Sequence, residues 1–140
     1  MSTELTYDYA IVRVVPRVER GEQVNVGVIL SCADTDFLDS RIELDTARLL
    51  ALDPGLDLHV IRTSLAVIPA VCRGGPGACP IGLLPQRGRF RWLVSPRSTM
   101  IQMSAVHTGR TTDPDAAIER LMDRMVRVGP SRDSGPGTGD

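Results

Sequence analysis

The run Tyr7-Asp-Tyr-Ala-Ile-Val-Arg-Val-Val-Pro-Arg-Val-Glu-Arg-Gly-Glu-Gln-Val-Asn-Val-Gly-Val-Ile-Leu-Ser-Cys32 decides the fold. Its first part, Tyr7 to Val15, is β-branched and aromatic and stops at Pro16, the signature of a buried strand. After a charged loop around Gly21, the residues from Gln23 to Cys32 alternate. Val24, Val26, Val28 and Leu30 fall on one face, and Asn25, Gly27 and Ile29 on the other. Two antiparallel strands joined by a short loop follow from this pattern. A third strand is expected over Phe37–Leu44, after the turn residues Asp34-Thr-Asp36.

Helices come next. Asp45 is placed to cap a short helix over Thr46–Leu52, closed by Asp53-Pro-Gly55. Asp57 is placed to cap a longer helix in which Val60, Ile61, Leu65, Ile68 and Val71 or Cys72 recur at helical spacing, with Pro69 kinking or shortening its last turn. Arg73–Pro80 reads as a loop and Arg87–Val94 as a short helix. Thr99–Val106 alternates as a further strand. Asp113 then caps the clearest helix, with Pro114 at its first position and Ala117, Ile118, Leu121, Met122, Met125 and Val126 as its apolar stripe. The fold expected is α+β: a mostly antiparallel sheet of about four strands packed with helices, forming a single domain over residues 7–128. Residues 1–6 are an N-terminal extension, and residues 129–140, without one large apolar side chain, are expected to be a disordered tail.

Composition bounds the chemistry. The 140 residues carry a formal net charge of −1, which implies no polyelectrolyte partner for the chain as a whole. Charge is unevenly spread: residues 1–57 hold eleven carboxylates and five arginines, 58–112 no carboxylate and seven arginines, 113–140 six carboxylates and four arginines. The middle segment is a candidate anion-binding or partner-binding surface, unless its arginines pair with the acidic N-terminal part. Every basic residue is Arg, which excludes a P-loop lysine, a Schiff-base lysine and a kinase phosphate-pairing lysine. Cys32, Cys72 and Cys79 form no paired framework. With His59 and His107 they also lack zinc-ligand spacing, so neither disulfides, metal nor other cofactors are expected. No apolar run is long enough for a membrane span and the N-terminus has no signal-like core, so a cytoplasmic protein is expected.

Two polar constellations stand out. Arg17, Glu19, Arg20 and Glu22 surround Gly21 in the first loop, and Arg13 shares an apolar strand face with Tyr9 and Ile11, so it must be paired or lie at an opening. Asn25 is a candidate neighbour. The second constellation is Ser95-Pro-Arg-Ser-Thr99 with Gln102, followed by His107-Thr-Gly-Arg-Thr-Thr-Asp113, in which Thr111, Thr112 and Asp113 read as capping residues. No nucleophile elbow, dinucleotide fingerprint or metalloprotease motif occurs. Nucleic-acid binding is disfavoured, because one Trp, two Phe and two Tyr leave few rings for base stacking.

The block Tyr9–Leu30, the block Ser95–Thr99 with Gln102, and His107-Thr-Gly109 together resemble the bacterial family catalogued as domain of unknown function 3037 (DUF3037), over roughly residues 7–128. The resemblance implies a small protein often encoded beside a HipA-like kinase, and it carries no catalytic residues. It directs attention to Arg13, Arg17, Glu19, Arg20, Glu22 and Asn25 from the first block, and to Ser95, Arg97, Ser98, Gln102, His107 and Thr108 from the later ones. These residues suit binding better than bond-breaking, since no nucleophile is accompanied by its base. The expectation is a non-enzymatic accessory or protein-interaction module, with a HipA-like kinase as partner and a homodimer through sheet edges as a further option. The alternatives are a small enzyme or binding protein for an anionic metabolite or nucleotide, and then a nucleic-acid binder.

Overall fold

The computed structural model describes residues 3–96 and 99–128. The expected tail at 129–140 lies outside the described residues. Five strands and five α-helices follow one another as β1 Leu5–Val14, β2 Val24–Cys32, β3 Phe37–Ile42, α1 Thr46–Leu52, α2 Leu58–Leu65, α3 Val67–Arg73, α4 Gln86–Leu93, β4 Ile101–Met103, β5 His107–Thr111 and α5 Pro114–Met125. The sheet is antiparallel in the order β3-β2-β1-β4, and β5 pairs with the other half of β1 on the same side as β4. The α+β class stands as expected.

The sheet separates two cores. Val12, Val14, Val24, Val26 and Ile29 pack beneath α1 to α4 with Leu49, Ile61, Ile68, Phe90 and Leu93. Tyr7, Ile11, Val28, Leu30 and Cys32 pack on the opposite face against Ala117, Ile118, Leu121 and Met122 of α5. The even alternation expected along β2 is therefore broken. Val12 pairs with Gly27 but Arg13 pairs with Asn25, leaving Val26 as an extra residue. This β-bulge reverses the faces on either side of it. Val24 and Val26 consequently serve one core, Val28 and Leu30 the other. Gly27 beside the bulge lies so close to β3 that an added Cβ would sit 2.5 Å from the Arg41 carbonyl oxygen.

Three further expectations are corrected. The strand expected over Thr99–Val106 is interrupted. β4 ends at Met103, and a second strand, β5, begins at His107, so the sheet has five strands rather than about four. At the break the Ser104 hydroxyl accepts from the Ile11 N–H at 2.8 Å, and the Ser104 N–H donates to the Ile11 carbonyl at 2.9 Å. The buried strand thus keeps its backbone partners where the ladder fails. The long helix expected after Asp57 is two helices meeting at Ala66. Pro69 breaks it upstream of itself: its missing N–H would have bonded the Leu65 carbonyl, and at the third position of α3 that N–H is not needed. The third strand stops at Ile42, two residues short of Leu44.

The caps are as read. Asp45 accepts from the Arg48 N–H, Asp57 from that of Val60, and Asp113 from those of Asp115 and Ala116. The helix expected over Arg87–Val94 is α4, Gln86–Leu93. Its first residue fixes it to the sheet, since the buried Gln86 amide donates to Ser31 Oγ and the Phe37 carbonyl, both at 2.8 Å.

Candidate functional site

Arg13 and Asn25 of the first sequence block and Gln102 and His107 of the later ones meet on the α5 face of the sheet. α5 packs over β2 and β3 with Tyr7 and Ile11 of β1 in the same core, and the edge beyond them, formed by β4 and β5 with the half-buried Tyr9 and Arg13, stays open on that face. Three strands present one polar row there: Arg13 pairs with Asn25 on β2 and with Gln102 on β4. Arg13 Nε donates to Asn25 Oδ1 at 3.2 Å, and the Asn25 amide donates to the Met125 carbonyl at 3.0 Å, near the C-terminus of α5. The charge on an otherwise apolar strand face is thus both paired and at an opening. Gln102 is held by its own amide donating to the Thr99 carbonyl at 2.9 Å.

Four residues along β1, Tyr9 pairs with His107. Their rings are 5.4 Å apart at 36°, and the Tyr7 ring stands 5.9 Å from that of Tyr9. Tyr7 also lies over Gly109, where an added Cβ would meet the phenol ring at 2.5 Å. His107 is exposed, and Tyr9 is half-buried.

α5 presents opposite charges on its two flanks. Toward β3, Asp115 and Glu119 reach Arg41, which also pairs with Asp39. Arg127 extends the network to Glu43, Glu119 and Asp123. The bonds from Arg127 and Arg41 hold the Glu119 carboxyl below its ordinary value, and Asp39 above all raises that of Arg41. Toward the open half of the sheet the flank carries Arg120 and Arg124, one helical turn apart and both exposed. Arg120 reaches Thr111 Oγ1 at 3.5 Å.

Other expected site residues lie elsewhere. Arg17–Glu19 and Arg20–Glu22 are exposed ion pairs within the β1–β2 loop. A backbone N–H and the Arg17 guanidinium hold the Glu19 carboxyl below its usual range. The loop shares an end of the sheet with the polar row. Thr108 is on the opposite face, where its hydroxyl donates to Asp8, which also pairs with Arg87 of α4. Ser95 donates to the Arg91 carbonyl at the end of α4. Arg97 and Ser98 lie outside the described residues.

The arginines of the middle segment divide in the same way. Arg87 and Arg110 pair with Asp8 and Glu4 of the acidic N-terminal part. Arg89 donates to the Leu84, Val71 and Cys72 carbonyls, satisfying the open end of α3. Among the described residues Arg62, Arg73 and Arg91 make no ion pair.

A model of the family described as a protein of unknown function (DUF3037) matches residues 9–126. The chain belongs to the DUF3037 family. No curated protein and no solved structure matches it. The match takes in every element from the Tyr9 half of β1 to the end of α5, so the open face lies within the family's own region.

Among the described residues no group of His, Cys, Asp and Glu is arranged to hold a metal ion, and no helix is long and apolar enough to cross a membrane. Cys32 and Cys72 are buried free thiols, and burial pushes Cys72 up to about 11, which removes it as a nucleophile near neutral pH. Sequence reasoning missed Arg120 and Arg124 as site residues. Their signal was present: in α5, Asp115 and Glu119 recur four apart, and Arg120 and Arg124 recur four apart on another flank.

Proposed function

We propose that this DUF3037 protein is a non-enzymatic binding module that attaches to a partner protein through the end of the sheet bearing the β1–β2 loop. The observation that carries the reading is the combination at that end of exposed apolar side chains with charged neighbours. Val18 of the loop, and Met125 and Val128 at the end of α5, are 47%, 39% and 70% exposed. The Arg17–Glu19 and Arg20–Glu22 pairs flank Val18. Apolar groups rimmed by charge are the usual make-up of a protein contact. The face beside them offers guanidinium and amide donors without a nucleophile and its base, which favours binding over covalent catalysis. The family resemblance makes a HipA-like kinase the partner to test first.

Affinity purification of the tagged protein from its native cells, at low and high salt, is the test. A stoichiometric kinase-like protein that is released by salt and lost from the double variant Arg17→Glu/Arg20→Glu is the expected result. Retention of the partner by that variant overturns the assignment of the surface. Recovery of the protein alone overturns the accessory reading.

A further inference from the structure

We infer that the open half of the α5 face is a binding trough for single-stranded nucleic acid, a function separate from the protein contact at the loop end. Its chemistry is that of a strand-binding surface. Tyr9 and His107 supply adjacent rings on the floor, 5.4 Å apart, and a ring face accepts any base by stacking. Arg13, Asn25 and Gln102 form a row of guanidinium and amide groups beyond them. Arg13 uses Nε for Asn25, so its two terminal nitrogens are the ones left for a phosphate. Arg120 and Arg124 of α5 line the wall.

Sign and length point to a nucleic-acid strand. Asp8, the one carboxylate on β1, β4 and β5, is on the opposite face with Thr108 and Arg87. The carboxylates of α5 nearest the sheet, Asp115 and Glu119, are turned to Arg41 on the other flank. Arg13, Arg120 and Arg124 therefore give the trough a local positive field in a chain whose net charge is −1, except at its Thr111 end, where the Asp113 carboxylate is engaged in capping α5. Arg120 reaches Thr111, which pairs with Leu5, and Arg13 lies eight residues further along β1, about 26 Å at the usual strand rise. A single nucleotide does not span that distance, whereas an extended strand does. A duplex offers no exposed base faces for Tyr9 and His107. The few aromatic residues in the sequence argued against this reading. Folding places Tyr9 and His107 together on the open edge of that face, with Tyr7 buried behind Tyr9, so the count misleads.

The test uses the full chain and a fluorescein-labelled 12-nucleotide single-stranded RNA of mixed sequence, followed by anisotropy. Saturable binding is expected, falling about 20-fold between about 50 and 200 mM salt if three arginines each neutralise one phosphate. His107→Ala, which removes an exposed ring, is expected to weaken binding about 5- to 150-fold, the range for loss of one stacked base. Arg124→Glu is expected to weaken it at least about tenfold, and Arg73→Glu on the opposite layer to leave it unchanged. The duplex of the same sequence should bind at least about tenfold more weakly. The absence of saturable binding at low salt overturns the inference. So does unchanged affinity in both His107→Ala and Arg124→Glu with their thermal unfolding preserved. Displacement of the RNA by AMP at equal concentration overturns the strand reading. The double loop variant Arg17→Glu/Arg20→Glu should still bind RNA, which separates failure here from failure of the protein contact.

Discussion

The two faces of the sheet are used differently. One lies beneath four helices and is occupied by aliphatic packing across its width, from Val24 and Val26 to Ile68 and Leu93. The other carries a single helix over β2 and β3, and its core reaches only as far as Tyr7 and Ile11 of β1. The difference shows where a small chain obtains stability and where it can keep polar groups accessible. Arg13, Gln102 and His107 sit beyond that core, and Asn25 at its end beside the last turn of α5. Aliphatic burial needs both sides of a contact to be dry, and guanidinium or amide groups are tolerated there only when paired. A half-covered face satisfies both demands side by side.

The sharpest way to break this comparison is to truncate one residue on each side. Leu93→Ala, at a position with no exposed surface under the four-helix layer, is expected to cost about 3 kcal/mol by urea unfolding. His107→Ala on the open half is expected to stay within about 0.5 kcal/mol of the parent. Similar losses from both would mean that the open half is core after all.

Next in size are the two glycines where neighbours come closest. Gly27→Ala sets a methyl group against the Arg41 carbonyl oxygen, which belongs to a paired strand and cannot step aside, and about 2 kcal/mol of destabilisation is expected. Gly109→Ala meets the far end of the Tyr7 ring, a side chain rather than the backbone of a paired strand, so a smaller loss of about 1 kcal/mol is expected. Thermal unfolding of the two variants side by side checks the order. A smaller effect at Gly27 would contradict the close approach of β3.

The flanks of α5 allow a finer cut by pH. Glu119 is held ionised by Arg127 and Arg41, so its folded pKa is below its ordinary value of 4.5. The stability it contributes is complete above that ordinary value and fades as pH falls through the lower folded one. Glu119→Gln should flatten the acid limb of the stability profile, and Arg124→Ala, on the flank without carboxylate partners, should leave it unchanged. Equal flattening by both would remove the distinction between the flanks. The smallest effect is chemical: at pH 8 iodoacetamide should label exposed Cys79 first, with Cys72 reacting only on unfolding. Mass spectrometry of the labelled peptides reads the order.

How much of this was legible depends on what each segment's side chains had to do. β1, the capping aspartates and α5 could be read because their signals are local: a β-branched run, Asp before a helix, Pro114 at its first position. β5 was not. His-Thr-Gly-Arg-Thr has no apolar alternation, because an edge strand half of which faces solvent needs none, and it becomes a strand by pairing with β1. The Ala66 break was half legible, since Pro69 announced it but its effect falls three residues upstream. In the site, Arg13 with Asn25 could be suspected from strand phase. The Tyr9–His107 pair joins residues 98 positions apart and depends on a register that the sequence does not print. Arg120 and Arg124 were missed because the orientation of α5 on the sheet decides which flank meets β3.

The bulge at Val26 makes the hairpin sensitive to register in a way that composition does not reveal. The stretch from Val24 to Leu30 would, as an unbroken alternation, send Asn25 into the aliphatic layer under the four helices and bring Val26 out in its place. One surplus residue prevents this exchange. Deleting Val26 would leave the faces as they are, with Asn25 still opposite Arg13 and Gly27 opposite Val12 in one continuous ladder, whereas forcing Val26 into step with its neighbours would remove the polar row more completely than any single substitution of its members.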